Sequence, residues 1–112
     1  MTDRELIESA AKAAGFAETA VQDWAGMDVR YGYDMAVWTG ETYWNPLKDD
    51  GDALRLAVKL GLMVDTSCQP ALIQCAGPCG IGLEEPARTD AYAATRRAIV
   101  RAAAAMNGDG HV

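Results

Sequence analysis

The sequence predicts an α/β (α+β) fold in which three helices cover both faces of one sheet as a three-layer α/β/α sandwich. Helix-forming segments and segments rich in β-branched and aromatic residues follow one another in the order α-β-β-α-β-β-α. Half of the 112 residues are hydrophobic and 23% are charged, as in an ordinary globular domain. We expect a four-stranded, mainly antiparallel or mixed sheet, with a two-layer α+β arrangement as the alternative. The single domain is expected over residues 1–108, with a disordered tail over 109–112.

The first helix is predicted from its capping signals. Thr2 and Glu5 have the spacing of a capping box, in which each side chain satisfies a backbone N–H of the first turn. Apolar residues then recur at helical spacing from Leu6 to Ala14, and Gly15 is suited to the left-handed position after the last turn.

The segment after the first helix predicts the first two strands. Valine, tyrosine and tryptophan replace the helix formers, which indicates strands at 28–31 and 35–39 with a turn at 40–41. Pro46 cannot donate a ladder hydrogen bond, so the sheet-like segment is expected to end at residues 44–46.

The second helix is expected to begin at Asp49 or Asp50 and to end at Gly61. Aspartates favour a helix N-terminus, and this explains residues 49–52 better than a fragment of a calcium loop does. Only Arg55 and Lys59 interrupt an otherwise apolar circumference, so the helix needs burial on more than one side. If no neighbouring helix covers the remaining stripe, we expect it to pair with a second copy about a two-fold axis.

Two further strands and a third helix complete the prediction. Short apolar runs indicate strands at 62–64 and 71–73, and the glycine- and proline-rich segment 76–86 is expected to be a loop. The last helix is expected from Thr89 or Asp90 to Met106, with Tyr92 and Ile99 on its inner stripe.

Cysteine and histidine usage argues against a metal centre or a catalytic pair. His111 is the only histidine and lies one residue from the end, where an ordered general base is not expected. Cys68, Cys75 and Cys79 lack the spacing of redox or zinc motifs, and a zinc site would need His111 as its fourth ligand. We expect three free thiols, no metal and no cofactor.

The glycines of residues 77–82 do not predict a phosphate-binding loop. A dinucleotide fingerprint opens a helix, so that the helix N-terminus faces the phosphates. Here Glu84, Glu85 and Pro86 follow instead, which favours a connector.

Charge and hydropathy restrict the classes of partner and the cellular location that we expect for this protein. Ten basic and sixteen acidic residues give a net charge of −6, which argues against nucleic-acid binding. The one basic group, Arg96, Arg97 and Arg101, is interpreted as a solvated helix face whose cations suit a helix C-terminus. The polar first residues do not resemble a signal peptide, and no apolar run is long enough to span a membrane. We therefore expect a cytoplasmic protein.

Aromatic residues provide the candidate binding surface. Three tryptophans and three tyrosines lie within residues 24–44, where they either fill the core or leave a large ring exposed as an interface anchor. The predicted surface consists of Trp38, Tyr43, Trp44, Asn45, Arg96 and Arg97.

A family resemblance rests on three segments. The chain resembles the phage ABA sandwich domain proteins at Trp44-Asn45-Pro46-Leu47 with the following helix 49–60 and at the closing segment 94–103. The opening helix resembles these proteins more loosely. The resemblance implies a three-layer α/β/α fold and a phage or prophage origin, and hence a bacterial host. It supplies no activity and no catalytic residue, and it does not extend to residues 63–88.

Two functions remain open at this point. The first is a non-enzymatic accessory module that binds a host or phage protein or forms a homodimer. The alternative is a binder of a small, nucleotide-like ligand, with Trp44 stacking on the base and Arg96 or Arg97 contacting phosphate. A flat apolar patch would favour the first, and a concave aromatic and basic pocket the second.

Overall fold

The computed structural model describes residues 2–16, 21–23, 35–38, 42–67, 72–77, 82–86 and 90–106, and within these ranges the fold is mixed α+β. The elements in chain order are α1 (Asp3–Ala13), β1 (Val21–Asp23), β2 (Met35–Trp38), β3 (Tyr43–Trp44), α2 (Asp50–Leu60), β4 (Met63–Asp65), β5 (Leu72–Ala76), β6 (Gly82–Pro86) and α3 (Ala91–Met106). The predicted class and the three helices are thereby confirmed.

The described strands form two antiparallel sheets rather than one four-stranded sheet. The strand orders are β1-β2-β3 and β4-β5-β6, with Val37 opposite Trp44 in the first sheet and Cys75 opposite Leu83 in the second. The expected loop over 76–86 is wrong in its second half, where β6 pairs along the whole of β5. Pro86 argues against a strand when the sequence is considered alone, but proline is tolerated on an edge strand such as β6.

The helix ends follow the predicted capping signals. Thr2 and Glu5 form the capping box of α1, and Gly15 follows that helix with φ of +87°. Asp49 is the N-cap of α2, and Gly61 ends that helix at φ of +66°. Such backbone angles are strained for residues with a Cβ, so the glycines terminate both helices.

Helix α3 is the central element of the packing. It contacts α1, α2, β5 and β6, while the first sheet contacts α1. Its alanines 98, 102, 103 and 104 are essentially inaccessible, and their small side chains allow close approach of the neighbouring helices. Helices α1 and α2 therefore both pack against α3, and the predicted three-layer sandwich about one four-stranded sheet is not confirmed.

Several predicted features lie outside the described residues. They include the strand at 28–31, the turn at 40–41 and the tail at 109–112, together with Cys68, Cys79 and His111. In the described part of the chain, none of the helices combines the length and apolarity that a membrane span requires.

Candidate functional site

Arg96 joins the beginning of α2 to α3. Its Nη1 donates to Asp50 Oδ1 at 2.5 Å, and its Nε donates to the Leu47 carbonyl at 2.9 Å. The Arg96 side chain is largely buried whereas that of Asp50 is largely exposed. The guanidinium therefore has a structural partner on each side before any ligand is considered.

The other two arginines of α3 are also paired. Arg97 Nη1 donates to Asp3 Oδ1 of α1 at 2.9 Å, and Arg101 Nη1 donates to Glu85 Oε1 of β6 at 2.8 Å. All three arginines lie within α3 rather than in its last turn. The interpretation as a solvated C-terminal face is therefore wrong, because each arginine ties α3 to a different part of the fold.

Trp44 and Asn45 lie inside the molecule. Trp44 is 5% exposed and its ring packs edge-on against Phe16, with ring centroids 5.1 Å apart. Asn45 is 1% exposed; its N–H donates to Asp52 Oδ2 at 3.0 Å, and its Oδ1 accepts from the Leu47 N–H at 3.0 Å. The Trp-Asn-Pro-Leu block thus positions the start of α2.

The six predicted surface residues do not form one surface among the described positions. Tyr43 is half-buried in β3 and pairs with Trp38 of β2, whose side chain lies outside the described part of the structure. Arg96 and Arg97 lie on α3 with separate acidic partners. The buried Trp44 and Asn45 present almost no surface to a ligand.

A groove of about 490 Å³ between α2 and α3 is the larger of two described cavities. The residues of α2 and α3 that line it recur at helical spacing, so each helix presents one continuous face to it. The lining residues are Asp50, Ala53, Leu54 and Ala57 of α2, Val64 and Thr66 in and beside β4, and Ala91, Tyr92, Thr95, Arg96 and Ile99 of α3.

Large apolar side chains are exposed at this groove. Leu54 is 63% exposed and Tyr92 is 74% exposed, and both line the cavity. Val58, one helical turn beyond Leu54, is 74% exposed and extends the apolar stripe of α2. The prediction that Tyr92 belongs to the inner stripe of the last helix is wrong, because in the first turn of α3 this ring faces the groove rather than the core.

The smaller cavity, of about 330 Å³, lies on the other side of α2. Phe16 and Trp44 contribute aromatic surface to it, and Arg55 and Lys59 contribute positive charge. Lys59 Nζ lies 5.6 Å from the centroid of the Phe16 ring, and Arg55 Nη2 donates to Asp52 Oδ1 at 2.8 Å. The cations beside Trp44 are therefore those of α2 and not the predicted arginines of α3.

Cys75 is a free but buried thiol in the centre of the second sheet. Burial raises the pKa of Cys75 to about 11, so the group is a neutral thiol rather than a nucleophilic thiolate at neutral pH. In the described ranges, no three histidine, cysteine, aspartate or glutamate residues lie close enough to hold a metal ion.

No family model matches the chain, and neither a curated protein nor a solved structure is detectably similar to it. The resemblance to the phage ABA sandwich proteins stays a prediction. Function is therefore inferred from the geometry of the two cavities.

Proposed function

We propose that this protein is a non-enzymatic interaction module that binds a partner protein through the groove between α2 and α3. The observation that carries the proposal is the exposure of Leu54 and Tyr92 in an apolar cavity of about 490 Å³, with Val58 exposed one turn beyond Leu54 on the same helix. Contiguous exposed apolar surface is costly in water and marks interaction sites. Complete burial of an exposed leucine or valine side chain contributes roughly 1.5–3 kcal/mol of favourable free energy, and covering these partly exposed side chains contributes a fraction of that each.

The extent of the apolar surface favours a protein over a small ligand. A ligand within the cavity would contact Leu54 and Tyr92, but Val58 lies outside the cavity lining. A protein surface can cover the stripe and the cavity together, and tyrosine is a frequent anchor at such interfaces.

A small, nucleotide-like ligand at the smaller cavity is the second candidate. The aromatic lining and Lys59 favour it, because they offer apolar contact and one positive charge. The burial of Trp44 weakens it, since stacking requires an accessible ring face. Arg96 and Arg97, the predicted phosphate contacts, are engaged by Asp50 and Asp3.

The cellular setting extends the proposal. The resemblance of residues 44–60 and 94–103 to phage ABA sandwich proteins supports an accessory role in a phage or prophage. Such a role implies expression in a bacterial host, and a cytoplasmic location there belongs to the same proposal.

A selection from a random-peptide library tests the binding function. Wild-type protein is used as bait, and each enriched peptide is measured again on the Leu54→Ser/Tyr92→Ser double variant. Both side chains are exposed, so the variant is expected to fold normally. We expect the enriched peptides to lose at least tenfold in affinity on this variant.

Met63→Ser is the matched control for that selection. Met63 is 58% exposed but does not line the groove, so its replacement removes a similar side chain elsewhere. Peptides that bind the control and the double variant equally well would contradict a role for the groove.

A further inference from the structure

We propose that the partner presents a basic amphipathic α-helix to the groove between α2 and α3. This inference rests on the proposed function, and it specifies the shape and the charge of the partner. Two helices border the groove, and acidic residues form its rim. The helices indicate the shape of the partner, and the acidic rim indicates its charge.

The shape of the groove suits a third helix. Leu54 and Val58 on α2, and Tyr92 and Ile99 on α3, follow the i, i+4 and i, i+7 spacing of single helix faces. Between these faces, Ala53 and Ala57 are small and buried, which leaves space for side chains inserted from outside. A helix that projects apolar side chains at i, i+3 or i+4, and i+7 fills such a groove.

The rim of the groove is acidic. Asp50 of α2 lines the groove, whereas Asp65 of β4 and Asp90, directly before α3, are sequence neighbours of the lining residues Val64, Thr66 and Ala91. Asp65 lies between the lining residues Val64 and Thr66 in sequence, and charges interact over a Debye length of about 8 Å at physiological ionic strength. Hydrogen bonds from Ser67 lower the pKa of Asp65, which keeps this carboxylate charged.

Positive charge at the groove does not balance this rim. Among the described lining residues Arg96 is the one cation, and its ion pair with Asp50 cancels the charge of that carboxylate, so the remaining negative charge beside the groove is that of Asp65 and Asp90. Lys48, two residues before Asp50, adds one exposed positive charge next to the rim. With a net charge of −6 on the chain, the groove favours a partner that carries lysine or arginine beside its apolar face.

The same charges disfavour a second copy of this chain as the occupant. A two-fold pairing through the groove places each acidic rim against its own copy, and like charges across an interface oppose association. The aspartates attract a basic helix, whereas they repel a second copy of this chain.

Selection from helical libraries with different flanking charge tests the proposal. Three libraries share one helical frame with randomised apolar positions at i, i+3, i+4 and i+7, and they differ only in carrying lysine, glutamine or glutamate on the flanks. We expect wild-type protein to enrich the lysine frame, and its binders to lose at least tenfold in affinity on Leu54→Ser/Tyr92→Ser.

The charge dependence is measured on a rim variant. Asp65→Asn and Asp90→Asn combined preserve size and leave the ion pair between Asp50 and Arg96 intact, and asparagine still caps a helix at position 90. We expect this variant, or high salt, to reduce the preference for the lysine frame over the glutamine frame at least fivefold.

The possible failures are distinguishable. Equal enrichment of all three frames would overturn the basic partner while the groove function stands. Groove-dependent binders from the random-peptide library alone would overturn the helical partner. A dimer of wild-type protein that Leu54→Ser dissociates would replace the partner with a second copy. If no library yields groove-dependent binders, both this inference and the proposed function fail.

Discussion

Asp52 links the segment before α2 to the helix itself. Its carboxylate is buried, accepts from the Asn45 N–H at 3.0 Å and from Arg55 Nη2 at 2.8 Å, and thereby uses both oxygens. In the described residues, no buried side-chain polar atom lacks a hydrogen-bond partner. Such a network is stable only when it is complete, because each unpaired buried group carries a desolvation penalty.

Replacement of Asp52 by alanine is therefore expected to destabilise the protein. The substitution leaves the buried Asn45 N–H without its acceptor, which costs about 1–3 kcal/mol of unfolding free energy. Urea denaturation of the wild type and the variant measures the change.

Lys48→Ala is the control for this substitution. Lys48 is exposed and lies directly before the N-cap Asp49, so its replacement is expected to change stability by less than about 0.5 kcal/mol. An equal loss of stability in Asp52→Ala and Lys48→Ala would contradict the role assigned to the Asp52 carboxylate.

Asp49 provides a second test at the scale of one residue. Its Oδ2 accepts from the Asp52 N–H at 2.8 Å, so Asp49→Ala removes the N-cap of α2 and is expected to cost about 1 kcal/mol. Asp49→Ser retains a capping oxygen and should recover most of that loss in thermal or urea denaturation. Calcium should leave the melting temperature of the wild type unchanged, and a calcium-dependent rise would indicate a ligand loop instead.

Deprotonation of the buried Cys75 thiol is expected to lower the stability of the folded protein at alkaline pH. Burial raises its pKa from 9.0 to about 11, so the unfolded chain loses the thiol proton at lower pH than the folded protein does. The contribution of Cys75 to stability is therefore complete below pH 9.0 and is lost as the pH rises towards about 11. In urea denaturation, we expect the unfolding free energy of the wild type to fall relative to that of Cys75→Ala as the pH rises through this range. A difference independent of pH would contradict it.

At the scale of elements, α3 is held by packing on its alanines and by ion pairs of unequal burial. The pair between Arg101 and Glu85 is largely shielded from solvent, whereas that between Arg97 and Asp3 is substantially exposed. Exposed pairs contribute little because water and salt screen them. The two pairs therefore differ in what they contribute to the attachment of α3.

Arg101→Ala and Arg97→Ala form a matched comparison of these pairs. Arg101→Ala leaves the buried Glu85 without this partner and is expected to cost about 1.5–3 kcal/mol. Arg97→Ala is expected to cost less than about 1 kcal/mol. Amide hydrogen exchange should also show faster opening of β6 in Arg101→Ala alone. Equal effects of the two substitutions would show that burial of the pair is not decisive.

Local signals make the helices predictable, whereas pairing between distant segments is not predictable from them. The capping box at Thr2 and Glu5, the N-cap at Asp49 and the terminal Gly61 act within a few residues, and the structure confirms them. Strand β6 depends on β5 and on the bond from Arg101 to Glu85, which lies 16 residues away. Its own composition resembles a loop, so no local pattern reveals it.

The candidate site likewise combines features that local sequence predicts with features that depend on packing between distant segments. The apolar circumference of α2 predicts that a stripe needs a partner, and Leu54 and Val58 are exposed on that helix. The position of Tyr92 beside this stripe depends on how α2 and α3 pack, which helical periodicity alone does not determine. Trp44 is buried in the core against Phe16, and the cations that line the cavity beside it are Arg55 and Lys59 of α2.

At the scale of the whole molecule, the charge around the groove predicts the oligomeric state. The sequence predicts self-association if the stripe of α2 stays uncovered, and Leu54 and Val58 meet that condition. Asp65 and Asp90 beside the groove and the net charge of −6 oppose it, because a two-fold pairing brings like charges of the two copies together. We expect a monomer in sedimentation velocity at micromolar concentration and low ionic strength.

High salt separates the two effects in the same measurement. At about 1 M salt the Debye length falls to about 3 Å, so repulsion between the rims is screened while apolar attraction remains. We expect weak self-association to emerge under these conditions and to disappear in Leu54→Ser but not in Met63→Ser, because of these two residues only Leu54 lines the groove. A stable dimer at low salt would show that apolar burial exceeds the repulsion, and the groove would then be a contact between copies of this chain.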